Sequence, residues 1–208
     1  MTKFSLKPSL RALLLAAGLG FSFLSGHTAA KTSSLDSGQA VFEVLASEIA
    51  LQRGEAGLAY NTYLELARQL DDPRLAQRAM EIAITAGAPD LALQAAQTWD
   101  SLAGPKQTKP KEVLVTLLIL NQRWSDAVKP AISLLNQQTP AQREITLIQI
   151  QALLAKAADE SEALRAFYEI VSTLRPEPKD PSILYTYAMS AEKSGRLDVM
   201  EKILREIL

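Results

Sequence analysis

The chain has 208 residues, 48% of them hydrophobic and 22% charged, with a formal net charge of −1; this is the balance of a globular protein, not of a disordered or strongly basic one. It contains no cysteine, which excludes disulfides, thiolate metal sites, a cysteine nucleophile and an acylated-cysteine membrane anchor. The single histidine, His27, lies in a segment expected to be removed, so the mature chain would lack both Cys and His, and an enzyme is not expected.

Residues 1–30 read as a secretory signal peptide. Lys3, Lys7 and Arg11 make a basic start, Ala12 to Leu24 is a 13-residue apolar run, and Ser25 to Ala30 supplies small residues for cleavage, expected after Ala30. The run is too short to span a bilayer as a helix, which takes about 20 residues. Cleavage removes three basic residues and no acidic ones, leaving 19 basic against 23 acidic. A mildly acidic chain without a basic cluster is not expected to bind nucleic acid, and no second apolar run suggests a membrane span. The expected location is the periplasm of a Gram-negative host, in or near the cell envelope.

A polar lead, residues 31–38, precedes the first helix, expected over Gln39 to Arg53. Val41, Phe42, Val44, Leu45, Ile49 and Leu51 make it apolar on more than one face, the pattern of an inner helix packed on both sides. Gly54 marks a turn. A second helix follows, with Leu58, Ala59, Thr62, Tyr63, Leu66 and Ala67 at three- and four-residue spacing, and Asp71-Asp72-Pro73 ends it. The same unit returns over Arg74 to Ala103 around a turn at Gly87. Gly54 to Gly87 and Ala59 to Ala92 are both 33 residues apart, and a fixed period in this range marks a stacked helical solenoid.

Asp100 to Lys111 is the longest break. A third pair turns at Gln122, where glycine is expected, with Pro130 placed in the first turn of its second helix. A fourth carries Ala163 and Phe167; a fifth begins at Ser182 and turns at Ser194-Gly195-Arg196. The hairpins are expected at about 39–73, 74–104, 111–140, 141–176 and 181–208. The last helix has Ile203, Leu204, Ile207 and Leu208, and an open apolar face is expected there, as in a chain cut from a longer array or covered by a partner.

These units resemble the tetratricopeptide repeat (TPR). The resemblance rests on small residues where the helices cross (Ser47, Ala59, Ala92, Ala127, Ala163) and on Tyr63 and Phe167 as the aromatic four residues further on. Met80, Ala96 and Gln122 depart from the pattern, and Trp99 is a candidate replacement filler. The array over 39–208 is thus a degenerate one. The resemblance implies an all-α, right-handed superhelical α-α solenoid of about five hairpins, with the first helix of each lining a concave groove for a protein or peptide partner. It places Val44, Glu48 and Gln52 of the first copy in that groove, Gln77, Glu81 and Thr85 of the second, Glu112, Thr116 and Leu120 of the third, and Tyr185, Met189 and Lys193 of the fifth. Co-chaperones of the family that clamp a terminal carboxylate use lysine and asparagine here; Val44, Glu48, Gln77 and Glu81 make the groove neutral to acidic and unsuited to such a ligand.

Glu48 and Glu81 are expected to line one side of the groove, so that reversing both charges weakens partner capture. No third ligand or nucleophile accompanies them, and no catalytic residue, metal site or cofactor is expected. The expected function is a non-enzymatic scaffold in envelope assembly, secretion or pilus biogenesis. The alternative is a helical accessory domain of a peptidoglycan-active envelope enzyme whose catalytic part lies elsewhere.

Overall fold

A computed structural model describes residues 37–207; the expected signal peptide, most of the polar lead and Leu208 lie outside them. The described residues form ten α-helices and no strand: α1 (Ser37–Gln52), α2 (Ala56–Leu70), α3 (Pro73–Thr85), α4 (Pro89–Ala103), α5 (Lys109–Leu120), α6 (Trp124–Gln137), α7 (Pro140–Leu154), α8 (Glu160–Ser172), α9 (Pro181–Lys193) and α10 (Leu197–Ile207). Consecutive helices pair into hairpins, closely in the first, second, third and fifth pairs and loosely in the fourth, and stack as an all-α solenoid.

The junctions follow from backbone chemistry. Pro73, Pro140 and Pro181 open α3, α7 and α9, where a missing N–H costs nothing and the fixed φ suits a helix. The residue before each proline is the N-cap. Asp72 accepts from the Arg74 N–H, Asp180 from the N–H groups of Ser182 and Ile183, and Thr139 forms a capping box with Gln142. Asp71-Asp72-Pro73 therefore begins a helix as well as ending one.

Four hairpin turns close alike. The N–H groups of Glu55, Ala88, Arg123 and Arg196 each reach the carbonyl five residues back, on Ala50, Ala83, Leu118 and Ala191. The residue before each donor has positive φ, supplied by Gly54 at 81° and by Gln122 at 60° in the third hairpin. Gln122 compensates with its side chain, accepting from the Ala158 N–H at 2.7 Å and donating to the Lys156 carbonyl at 3.3 Å.

The core forms where the helices cross. Ala59, Ala92, Ala127 and Ala163 are at most 1% exposed, because only a small side chain lets two helices approach so closely. Tyr63, Trp99, Trp124 and Phe167 fill the spaces between hairpins and are buried.

Four expectations are corrected. Pro130 lies in the second turn of α6, not the first, so the Asp126 carbonyl loses its helical donor. The fourth hairpin lacks the five-residue closure, and α8 packs directly on α6 while α7 sits to the flank, only sparsely against α5, α8 and α9. Arg143, almost fully buried, ties α7 down by donating to the carbonyls of Leu135 and Arg175, both at 3.1 Å. The last helix, α10, turns Ile203, Leu204 and Ile207 onto the core and shows solvent Glu201, Lys202, Arg205 and Glu206, paired at four-residue spacing. Finally, α1 is packed on one side only: Ala40, Ser47 and Ala50 are buried, while Val41, Phe42, Leu45 and Ile49 are exposed.

Candidate protein-binding surface

The Glu48 and Glu81 carboxylates are not free. The Tyr63 hydroxyl donates to Glu48 at 2.6 Å, and the Arg78 guanidinium donates to both Glu48 oxygens at 3.0 Å. Arg78 also lies 3.6 Å from Glu81, which accepts from the Gln77 amide at 3.0 Å. One cation thus sits between the two anions and offsets half of the acidic charge expected from their repeat positions. The hydrogen bond from Tyr63, aided by Arg78, lowers the Glu48 pKa against the opposing effect of burial. Burial first, and then the neighbouring carboxylate, pushes the Tyr63 phenol up to about 12. Charge reversal at Glu48 therefore breaks a joint between α1, α2 and α3, and an effect on capture would not report a groove contact.

The other candidates of the first two copies are mostly occupied too. Val44 packs half-buried against the core, and Thr85 donates back to the Glu81 carbonyl. Gln52 is exposed at the end of α1. Arg78, which the reading by repeat position passed over, belongs to this group; its spacing of 30 residues from Glu48 falls outside the 33-residue period.

On α5, Glu112 lies 3.5 Å from Lys109, and Thr116 donates to the Glu112 carbonyl. Both face α7 across a narrow recess with Thr146 and Gln149. Leu120 is 51% exposed.

Tyr185, Met189 and Lys193 are brought together. They line one wall of an open cleft of about 550 Å³, with Leu154 of α7, Ala155 just past its end and Leu164 of α8 on the other side. Gln151 staples the walls, donating to the hydroxyls of Thr186 at 2.7 Å and Ser182 at 2.9 Å. Glu160 and Lys193 stand at the rim, one charge of each sign.

The cleft continues onto a surface absent from the expected set. On α7, Ile145 is 57% and Ile148 46% exposed, Ala152 and, just past the helix, Ala155 are exposed beside them, and no charge falls between Glu144 and Lys156. The signal was in the sequence: Ile148, Ala152 and Lys156 each follow Glu112, Thr116 and Leu120 by 36 residues, the spacing of Ala127 and Ala163.

Among the described residues no group of three or more His, Cys, Asp or Glu could hold a metal, and no helix is long and apolar enough to cross a membrane. Fold and surface together define an α-helical solenoid with an apolar, cleft-bearing face over α7 and α9.

No family model matches the chain, and no curated protein matches it. Among solved structures it is similar to a crystal structure of MamA, at 11% identity and a TM-score of 0.41, covering 77% of this chain and 91% of that one. A second MamA crystal structure gives 12% identity and 0.44 over 81% and 90% of the two chains. The MamA RS-1 ArsTM double mutant gives 13% and 0.42 over 81% and 92%. At these scores the likeness carries no argument about family or function.

Proposed function

We propose that the chain is a non-enzymatic scaffold of the TPR type, exported to the periplasm, that holds an apolar segment of a partner protein along α7 and in the cleft against α9. The observation that carries this reading is the exposed, uncharged stripe of Ile145, Ile148, Ala152 and Ala155 running beside a cleft with Leu154, Tyr185 and Met189 in its walls. Soluble proteins rarely leave such a patch open unless it is used. Its geometry suits an amphipathic helix laid in a groove, with apolar anchors at three- and four-residue spacing and polar rim groups fixing register. Export is supported by the basic start and apolar run of residues 1–30, and envelope assembly, secretion or pilus biogenesis is the role proposed for it there.

The test is site-specific photo-crosslinking in cells from position 148, 185 or 189, with position 165 on the exposed face of α8 as control. One discrete adduct from the first three and none from the control is expected, the adducts from 185 and 189 being abolished by Ile148→Asp. Equal adducts from all four positions would remove the assignment. N-terminal sequencing of the mature chain tests export; an intact Met1 would overturn it.

A further inference from the structure

We propose that α1 pairs with α1 of a second copy of this chain, antiparallel across a two-fold axis. Val41, Phe42, Leu45 and Ile49 are 60%, 70%, 59% and 49% exposed, the densest run of exposed large apolar side chains among the described residues. Phe42, Leu45, Ile49 and Gln52 follow the alternating three- and four-residue steps of a coiled-coil seam, with Val41 beside it. A seam of this kind is self-complementary, as an isologous contact requires.

Charge selects the occupant and the orientation. Residues 37–52 contain two glutamates and no lysine or arginine, so the helix lacks the basic flank with which amphipathic helices hold a lipid surface. Arg53 follows α1, exposed and without a side-chain partner, while Glu43 is bound only by its neighbour Gln39 at 3.0 Å. Antiparallel pairing centred on Ala46 brings Arg53 opposite Gln39 of the second copy and about one turn from its Glu43. Parallel pairing instead stacks like charges. The exposed seam amounts to a few hundred Å² per copy, below the roughly 800 Å² of a standard interface, so the dimer is weak and reversible.

Sedimentation velocity of the full chain, from roughly 1 to 100 μM at low salt, is expected to show a monomer–dimer equilibrium. Phe42→Glu is expected to abolish the dimer with unchanged helical content. Arg53→Glu and Glu43→Arg are each expected to weaken it roughly 2- to 30-fold, the two-fold axis counting every exposed ion pair twice, and the double swap to restore it. A monomer at every concentration, a dimer indifferent to Phe42→Glu, or single swaps that the double does not rescue would each overturn the proposal. So would binding of the monomer, through this stripe, to vesicles of phosphatidylglycerol and phosphatidylethanolamine. None of these variants touches the α7–α9 cleft, so crosslinking there reads independently.

Discussion

Tyr63 and Glu48 are joined by a 2.6 Å hydrogen bond that couples the titration of each to the other. The Glu48 pKa is lowered in the folded chain, so its contribution to stability is present above the ordinary glutamate value and is lost as pH falls through the folded one. The Tyr63 pKa is raised to about 12, so its contribution is complete below the ordinary tyrosine value and is lost as pH rises toward 12. An ultraviolet titration is expected to lose a phenol ionisation near that value in Tyr63→Phe. By urea denaturation Tyr63→Phe is expected to cost about 1–2 kcal/mol, the order of a hydrogen bond to a charged group that is half open to water. An unchanged midpoint would show that the bond does not persist in solution.

Gln122 provides a second test, because its backbone strain and side-chain bonds act in opposite directions. Gln122→Ala keeps the positive φ and loses both bonds to the next turn, and is expected to destabilise by about 1–2 kcal/mol. Gln122→Gly loses the same bonds but relieves the backbone, and is expected to fall within about 1 kcal/mol of the parent. The order of the two denaturation midpoints decides it.

Arg143 is buried and donates to the carbonyls of Leu135, Arg175 and Pro176. Arg143→Met leaves the Arg175 carbonyl without this donor and the Leu135 carbonyl with the Gln138 N–H alone, at about 1–3 kcal/mol, and is expected to release α7 first. Hydrogen exchange should quicken over 140–154 before it changes in α3 and α4. Uniform quickening would mean that α7 is not an independent unit.

The alanines at the crossings permit no extra volume. Ala92→Leu and Ala127→Leu are expected to cost about 1–3 kcal/mol each by overpacking, read as a fall in thermal midpoint. Met200 holds the corresponding place in the fifth hairpin and is only half-buried, so Met200→Leu is expected to change little.

The sequence by itself determined the helices and their turns. Gly54, Gly87 and Gly195 mark reversals because left-handed backbone is cheap only there, and the caps and prolines act within three residues of themselves. The recurring alanines announced close crossings by their period alone. What only the tertiary structure decided is which faces meet. Nothing local places Arg78 between Glu48 and Glu81, turns the apolar side of α10 inward and leaves that of α1 open, or moves α7 aside so that α8 stacks on α6. Helical periodicity says that a side is apolar, whereas burial depends on whether another helix arrives to cover it, and that is set by the summed geometry of every turn before it.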